Sequence, residues 1–210
     1  MPAEAFFING LAGQLEAIMT PANEDTVACA SIALVCHPHP QQGGAMTNKV
    51  VTTLARAFAD LGAASLRFNF RGVGKSAGEF DNGIGEMDDV LAAIEWVKAN
   101  YPEKSIWLAG FSFGAAMSAQ AAARTSVARL VSIALPVPRF NLLELPPIHC
   151  PWLIVQGDQD DVVAPQAVYA WAEERDPKPT LIRMQNAGHF FHGQLLELRK
   201  IIATNLSTAA

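Results

Sequence analysis

Ser112 stands between two glycines in Gly110-Phe111-Ser112-Phe113-Gly114, with the apolar run SIWLA before it and the alanine-rich AAMSAQAAAR after it. The first segment reads as a strand and the second as a helix, so the serine occupies a sharp strand-to-helix turn. Such a turn strains the serine backbone and pushes the hydroxyl out at the end of the strand, while flanking glycines leave room where side chains would collide. That suits a nucleophile attacking an acyl carbon. A serine ahead of a helix also serves as an N-cap without any chemistry, but the full pattern in this context favours the nucleophile.

A serine hydroxyl needs a base, and the base needs a group that orients it. Of the 5 histidines, His37 and His39 precede the serine, and His149 lies among prolines in LPPIHCP, where loop packing suffices. His189 lies in NAGHFF, after the penultimate apolar segment, and the chain order Ser, then Asp or Glu, then His selects it. His192, just behind it, is the rival. The acid is expected after PWLIVQG, where Asp158, Asp160 and Asp161 all qualify, Asp161 also as a cap for the next helix.

Acyl transfer also needs donors aimed at the developing oxyanion. The backbone N–H of Phe113, directly after the nucleophile, is one. A second is expected from the loop His37-Pro38-His39-Pro40-Gln41-Gln42-Gly43-Gly44, in which the prolines have no N–H; His39 is the first choice and Gln41 the fallback. His37 and His39 also invite a metal reading, but no carboxylate or cysteine at ligand spacing completes a site, so no metal is expected.

Arg71-Gly72-Val73-Gly74-Lys75-Ser76 ends in the Gly-Lys-Ser of a nucleotide phosphate loop. That motif needs a glycine at position 69, where the chain has Asn69, and must open into a helix, whereas Ala77-Gly78-Glu79-Phe80-Asp81-Asn82-Gly83 is loop chemistry. A rigid glycine-rich loop is the better reading.

The elements that must position these groups alternate along the chain. FFINGLAGQLEAIMTP suggests a hairpin turning at Asn9-Gly10. CASIALVC, ASLRFNF, SIWLAG, LVSIAL, PWLIVQG and PTLIRMQ read as strands. Between them, Val51, Leu54, Phe58 and Leu61, then Met87, Val90, Leu91, Ile94 and Val97, recur at helical spacing. A further helix starts near Pro165, and Leu195, Leu198, Ile202 and Leu206 form a closing one. This order predicts an α/β fold with a mostly parallel, doubly wound sheet of about eight strands, an N-terminal hairpin and helices on both faces. Ligands of such sheets bind at the carboxyl ends of the strands.

With 210 residues, the chain suits a single domain spanning 1–210. Its 50% hydrophobic and 17% charged residues fit a sheet covered on both sides. A formal net charge of −5 without basic clusters speaks against nucleic acid. Cys29, Cys36 and Cys150 read as buried thiols of a reducing compartment. With no export signal in MPAEAFFING and no run long enough to span a bilayer, the expected location is cytoplasmic and no membrane contact is expected.

Together CHPHPQQGG with TNKVVTTLARAF, FNFRGVGKSAGEFDNGIGEMDD, GFSFG, Gly157-x-x-Asp160-x-x-Val163 and Gly188-His189 resemble the α/β-hydrolase superfamily, within it a group of small bacterial predicted hydrolases. The resemblance covers nearly the whole chain. It implies a triad of Ser112, Asp160 and His189, the Asp160 choice resting on the family pattern, and it implies no cofactor. It also implies scaffold duty for the Arg71 to Ser76 loop. The short PRFNLLELPPIHC between two strands leaves no room for a cap domain, so an open site taking a small acyl substrate is expected. Phe111, His37, Gln41 and Phe190 are the candidate substrate contacts, with Phe113 and Phe191 as further walls or core. A hydrolase of carboxylic esters or related acyl bonds is the leading expectation; a non-catalytic binding protein and an acyltransferase or perhydrolase are the alternatives.

Overall fold

The computed structural model describes residues 4–207. The chain runs β1 (Ala5–Gly10), β2 (Gly13–Thr20), β3 (Ser31–Cys36), α1 (Lys49–Asp60), β4 (Ala64–Phe68), α2 (Ile84–Asn100), β5 (Ser105–Phe111) and α3 (Phe113–Ala122). It continues through β6 (Arg129–Ile133), β7 (Trp152–Gly157), α4 (Pro165–Glu173), β8 (Thr180–Met184) and α5 (Leu195–Ser207). The strands form one 8-stranded sheet in the order β1-β2-β4-β3-β5-β6-β7-β8. The pairs β1 with β2 and β2 with β4 are antiparallel, and all others are parallel.

The hairpin turns at Leu11-Ala12, not at Asn9-Gly10: Asn9 pairs with Gln14 and Gly10 with Gly13. Side-chain facing explains the difference. This register sets Ile8 opposite Leu15, and both are buried in the same cluster, whereas a slipped register would send one apolar set to solvent. The glycine that needs a positive φ is Gly13, at +117°.

Strand β3 is buried along its whole length, and its alternate residues feed the two faces of the sheet. Ile32, Leu34 and Cys36 pack with Met87, Val90, Ile94 and Val97 of α2, with α3 and with Val168 and Trp171 of α4. Ala33 and Val35 pack with Val51, Leu54 and Phe58 of α1 and Leu198, Ile202 and Leu206 of α5. Helix α1 begins where the Asn48 side chain accepts the Val50 amide at 2.8 Å, a standard cap.

The chain leaves β3 toward β4 on one side and later returns to β5 on the other. The crevice between the ends of β3 and β5 is therefore the switch point of the sheet. It is flanked by the loop after β3 and by Ser112. Between β6 and β7, residues 134–151 contain only a short 3-10 turn, Leu142–Glu144, and no lid.

Among the described residues no helix is long and apolar enough to cross a membrane. The three cysteines are free thiols, and only Cys36 is fully buried; Cys29 and Cys150 are half-buried because they lie at strand margins rather than within the layers.

Candidate active site

Ser112 sits between β5 and α3 with φ 52° and ψ −116°. This is the geometry of the first central position of a type II′ turn, ordinarily taken by glycine. Neighbours hold it there. Its amide donates to the Ile133 carbonyl at 2.8 Å, and its carbonyl accepts the Ala115 and Ala116 amides. A Cβ on Gly110 would lie 2.2 Å from the Gly114 carbonyl oxygen, and one on Gly114 would lie 2.4 Å from that of Cys36. Both glycines are thus required by close backbone approach. The Ser112 side chain makes no capping hydrogen bond, which leaves its hydroxyl uncommitted to the helix.

His189 lies between β8 and α5, buried beside the rings of Phe111 and Phe190, each with its centroid 5.0 Å away. Its Nδ1 is 2.9 Å from Asp160 Oδ2. Asp160 is itself buried in the loop after β7, and its Oδ1 accepts the Val162 and Val163 amides at 2.9 and 2.7 Å. Burial pushes this carboxyl up, but the His189 hydrogen bond and the Val163 and Val162 amides outweigh burial and hold it below the ordinary carboxylate value. An ionised Asp160 only accepts, so Nδ1 of His189 carries the proton and Nε2 is the free, basic nitrogen.

A residue that sequence reasoning missed completes this arrangement. Gln156, the polar residue at the end of the apolar β7, donates from Nε2 to the same Asp160 Oδ2 at 2.9 Å. Its one outward signal is an amide inside PWLIVQG. Asp158 and Asp161 are both exposed and point to no histidine, and His192 is exposed beside the outer side of Phe190.

The loop after β3 corrects two expectations. His37 is fully buried; its Nδ1 donates to the Pro38 carbonyl at 2.6 Å and its Nε2 accepts the Phe70 amide at 3.0 Å. With both nitrogens committed it contacts neither substrate nor metal. Burial, opposed only by the Pro38 bond, pushes it down to about 4, and a protonated Nε2 would confront the Phe70 N–H. Gln41 lies on the exposed side of the short turn Pro40–Gln42, and it is Gln42 that reaches the site. Phe111, also expected at the substrate, is 0% exposed and belongs to the core beneath His189, as do Phe113 and Phe191 to core layers. Inward alternation along β5 sends Phe111 under the site instead of into it.

His39 and Phe113 each present a backbone amide near Ser112. His39 caps the Pro40–Gln42 turn, accepting the Gln42 and Gly44 amides on its carbonyl at 3.0 Å. Phe113 opens α3, where the first amides have no intrahelical acceptor. No acceptor among the described residues takes the amide of either. Burial, with Glu86 opposing and Arg139 reinforcing it, lowers the His39 imidazole below its ordinary value.

Ser112, His189, His39, Gln42, Val162 and Phe190 share one cavity of about 70 Å³ at the switch point. Phe190, 46% exposed, is the aromatic at its mouth. A larger groove of about 560 Å³ lies between residues 122–128 and 147–151, with His149 and Cys150 in its wall. That groove sits at the opposite ends of the strands from Ser112 and carries none of this chemistry.

The Arg71 to Ser76 loop is a brace beside the site. Arg71 is buried and paired with Asp89 of α2, Nη2 to Oδ1 at 2.7 Å. Ser76 donates to the Asn69 carbonyl at 2.7 Å and accepts the Glu16 amide at 2.9 Å. Asn69 accepts the Met46 amide at 2.8 Å and donates to Glu16 Oε2 at 2.8 Å, and that carboxylate also accepts the Lys75 amide. The Lys75 amide and the Ser76 hydroxyl, which a phosphate would need, are thus already engaged, while the Lys75 side chain is exposed.

Residues 40–149 match the profile of the alpha/beta hydrolase fold family. The chain is similar in structure to an alpha-beta serine hydrolase homologue from Coxiella burnetii, with 47% identity, a TM-score of 0.94 and 98% of both chains covered. It is also similar to a serine hydrolase without lid from Xanthomonas campestris, with 45% identity and a TM-score of 0.95 over 98% of this chain and 94% of that one. An uncharacterized protein of Rickettsia prowazekii (strain Madrid E) is 36% identical over 96% of this chain and 88% of its own length. A family match over residues 40–149 and relatives of this similarity place the chain in the alpha/beta hydrolase family.

Proposed function

We propose that this hydrolase cleaves carboxylic esters or related acyl bonds of small substrates through an acyl-enzyme on Ser112. The observation that carries the reading is a strained serine and an Asp160-paired histidine lining one cavity. His189 Nε2 takes the Ser112 proton as Oγ attacks the acyl carbon, then returns it to the leaving group. Asp160 fixes the tautomer and stabilises the imidazolium. The amides of Phe113 and His39 receive the oxyanion, with the N-terminal end of α3 adding its positive dipole. Water, admitted freely because no lid covers the site, attacks the acyl-enzyme with His189 again as base. All of these steps are supplied by protein groups, without cofactor or metal.

A cavity of about 70 Å³ is small beside the roughly 300–1,000 Å³ of ordinary ligand pockets. It suits a short acyl group, with the leaving group lying across Phe190 at the surface. One continuous sheet carrying every group supports reading residues 1–210 as one domain. The three free thiols support a reducing, cytoplasmic setting, and the net charge of −5 argues against nucleic acid as a partner.

The test is hydrolysis of p-nitrophenyl esters of increasing acyl length. The expected result is the highest kcat/KM on the shortest chains and none of that activity in Ser112→Ala. Undiminished hydrolysis by Ser112→Ala would overturn the reading.

A further inference from the structure

Gln156 is the buried polar side chain that the triad chemistry does not require. On β7 it follows Trp152 and Ile154 at the two-residue period of one sheet face, where an apolar side chain would continue the layer without a polar penalty. Instead the chain buries an amide whose Oε1 has no hydrogen-bond partner, a cost that calls for a compensating role. Its orientation is fixed, because both neighbours of Nε2 are acceptors, Asp160 Oδ2 at 2.9 Å and the Gly157 carbonyl at 3.3 Å.

Asp160 therefore receives four donors: two backbone amides on Oδ1, and His189 Nδ1 and Gln156 Nε2 together on Oδ2. We infer that Gln156 is a positioning residue that pins the Asp160 carboxylate in the plane His189 needs and, by sharing Oδ2, limits how strongly that oxygen stabilises the protonated imidazole. The inference rests on the triad reading given above. Two donors on one oxygen divide its negative charge. Without Gln156, more of that charge would fall on His189, and the base would hold its proton to higher pH.

The other ionisable groups around the pair leave Oδ2 untouched. Asp158 and Asp161 lie exposed on the same loop, Tyr169 of α4, which feels the charges of Asp158 and Asp160, has Arg183 of β8 over its ring, and His39 shares the cavity with His189. None of them donates to Oδ2.

The experiment is the pH profile of kcat/KM for a short ester with the full-length protein and Gln156→Met, which keeps length and removes the donor. The midpoint of the rising limb is expected to move up by about half to one pH unit. The low-field proton resonance of the His189 Nδ1–H is expected to move further downfield. Gln156→Asn, which withdraws the amide by one methylene, is expected to give the same upward shift and serves if the Met variant does not fold. A folded variant whose profile overlays that of the parent, whatever its kcat, overturns the inference. Loss of the triad reading is distinguished separately, by a Ser112→Ala protein that hydrolyses the ester as fast as the parent.

Discussion

His189 and Asp160, 29 residues apart in sequence, meet at 2.9 Å between Nδ1 and Oδ2, and both are buried. The contact joins the loops after β7 and β8, which a second bond, from the Gln159 amide to the Ala187 carbonyl at 3.0 Å, holds together. A Cβ on Gly157 would lie 2.2 Å from that same Ala187 oxygen, so the glycine is what lets the loops close. Asp160→Asn preserves the shape but presents an amide where Nδ1 needs an acceptor. Its kcat is expected to fall by about 10⁴, the loss typical of a wrong histidine tautomer in such triads, with the far-UV circular dichroism unchanged. A loss below tenfold would contradict the role given to Asp160.

Ser112 has φ 52° and ψ −116°, which costs a residue with a Cβ roughly 1–3 kcal/mol. Ser112→Gly relieves that cost. Urea denaturation is expected to show the variant more stable than the parent by about 1–2 kcal/mol after the added chain entropy of glycine is counted, while ester hydrolysis disappears. A destabilised variant would show that the turn is not strained.

His37 makes stability depend on pH. Its folded value is pushed down to about 4 from an ordinary 6.5, chiefly by burial, so between those values the unfolded chain binds a proton that the folded one does not. The sign follows: stability is full above about pH 6.5 and declines as pH falls toward 4, by about 3 kcal/mol in all. Asp160, held below the ordinary carboxylate value, adds a further loss only at still lower pH, where its folded form at last protonates. Urea midpoints should hold between pH 7.5 and about 6.5 and fall from there to pH 4.5, and a series flat throughout would contradict the buried neutral imidazole.

Arg71 is buried against Asp89, whose side chain is fully enclosed. Asp89→Ala strands the guanidinium and is expected to cost about 3–5 kcal/mol. Lys75→Ala, on the same loop but exposed, should change stability by less than about 0.5 kcal/mol. Thermal and urea denaturation of the two variants separate brace from surface. Tight nucleotide binding abolished by Lys75→Ala would instead restore the phosphate-loop reading.

Much of the fold was legible because apolar runs and helical periods are local signals. SIALVC is buried along its length, and the Val51, Leu54 and Phe58 stripe faces the sheet as its spacing demands. Ser112 was legible for the same reason, since strand, glycines and helix adjoin it in sequence. What distinguishes His37 from His39 is long-range: the Phe70 amide that engages His37 lies 33 residues away. Gln156 carried no period or motif, and its partners are a carboxylate and, through it, a histidine from another loop. The hairpin turn failed on a finer point, since Asn-Gly is a strong turn signal but the facing of Ile8 and Leu15 decided the register.

In the proposed mechanism Ser112 is a nucleophile activated by His189. Intact-mass and peptide mass spectrometry after treatment with a fluorophosphonate tests it most directly. The expected result is a single covalent adduct on the peptide bearing Ser112, formed faster as pH rises, absent in Ser112→Ala and strongly slowed in His189→Ala. A folded parent protein that remains unlabelled, or labelling that persists at full rate in Ser112→Ala, would contradict it.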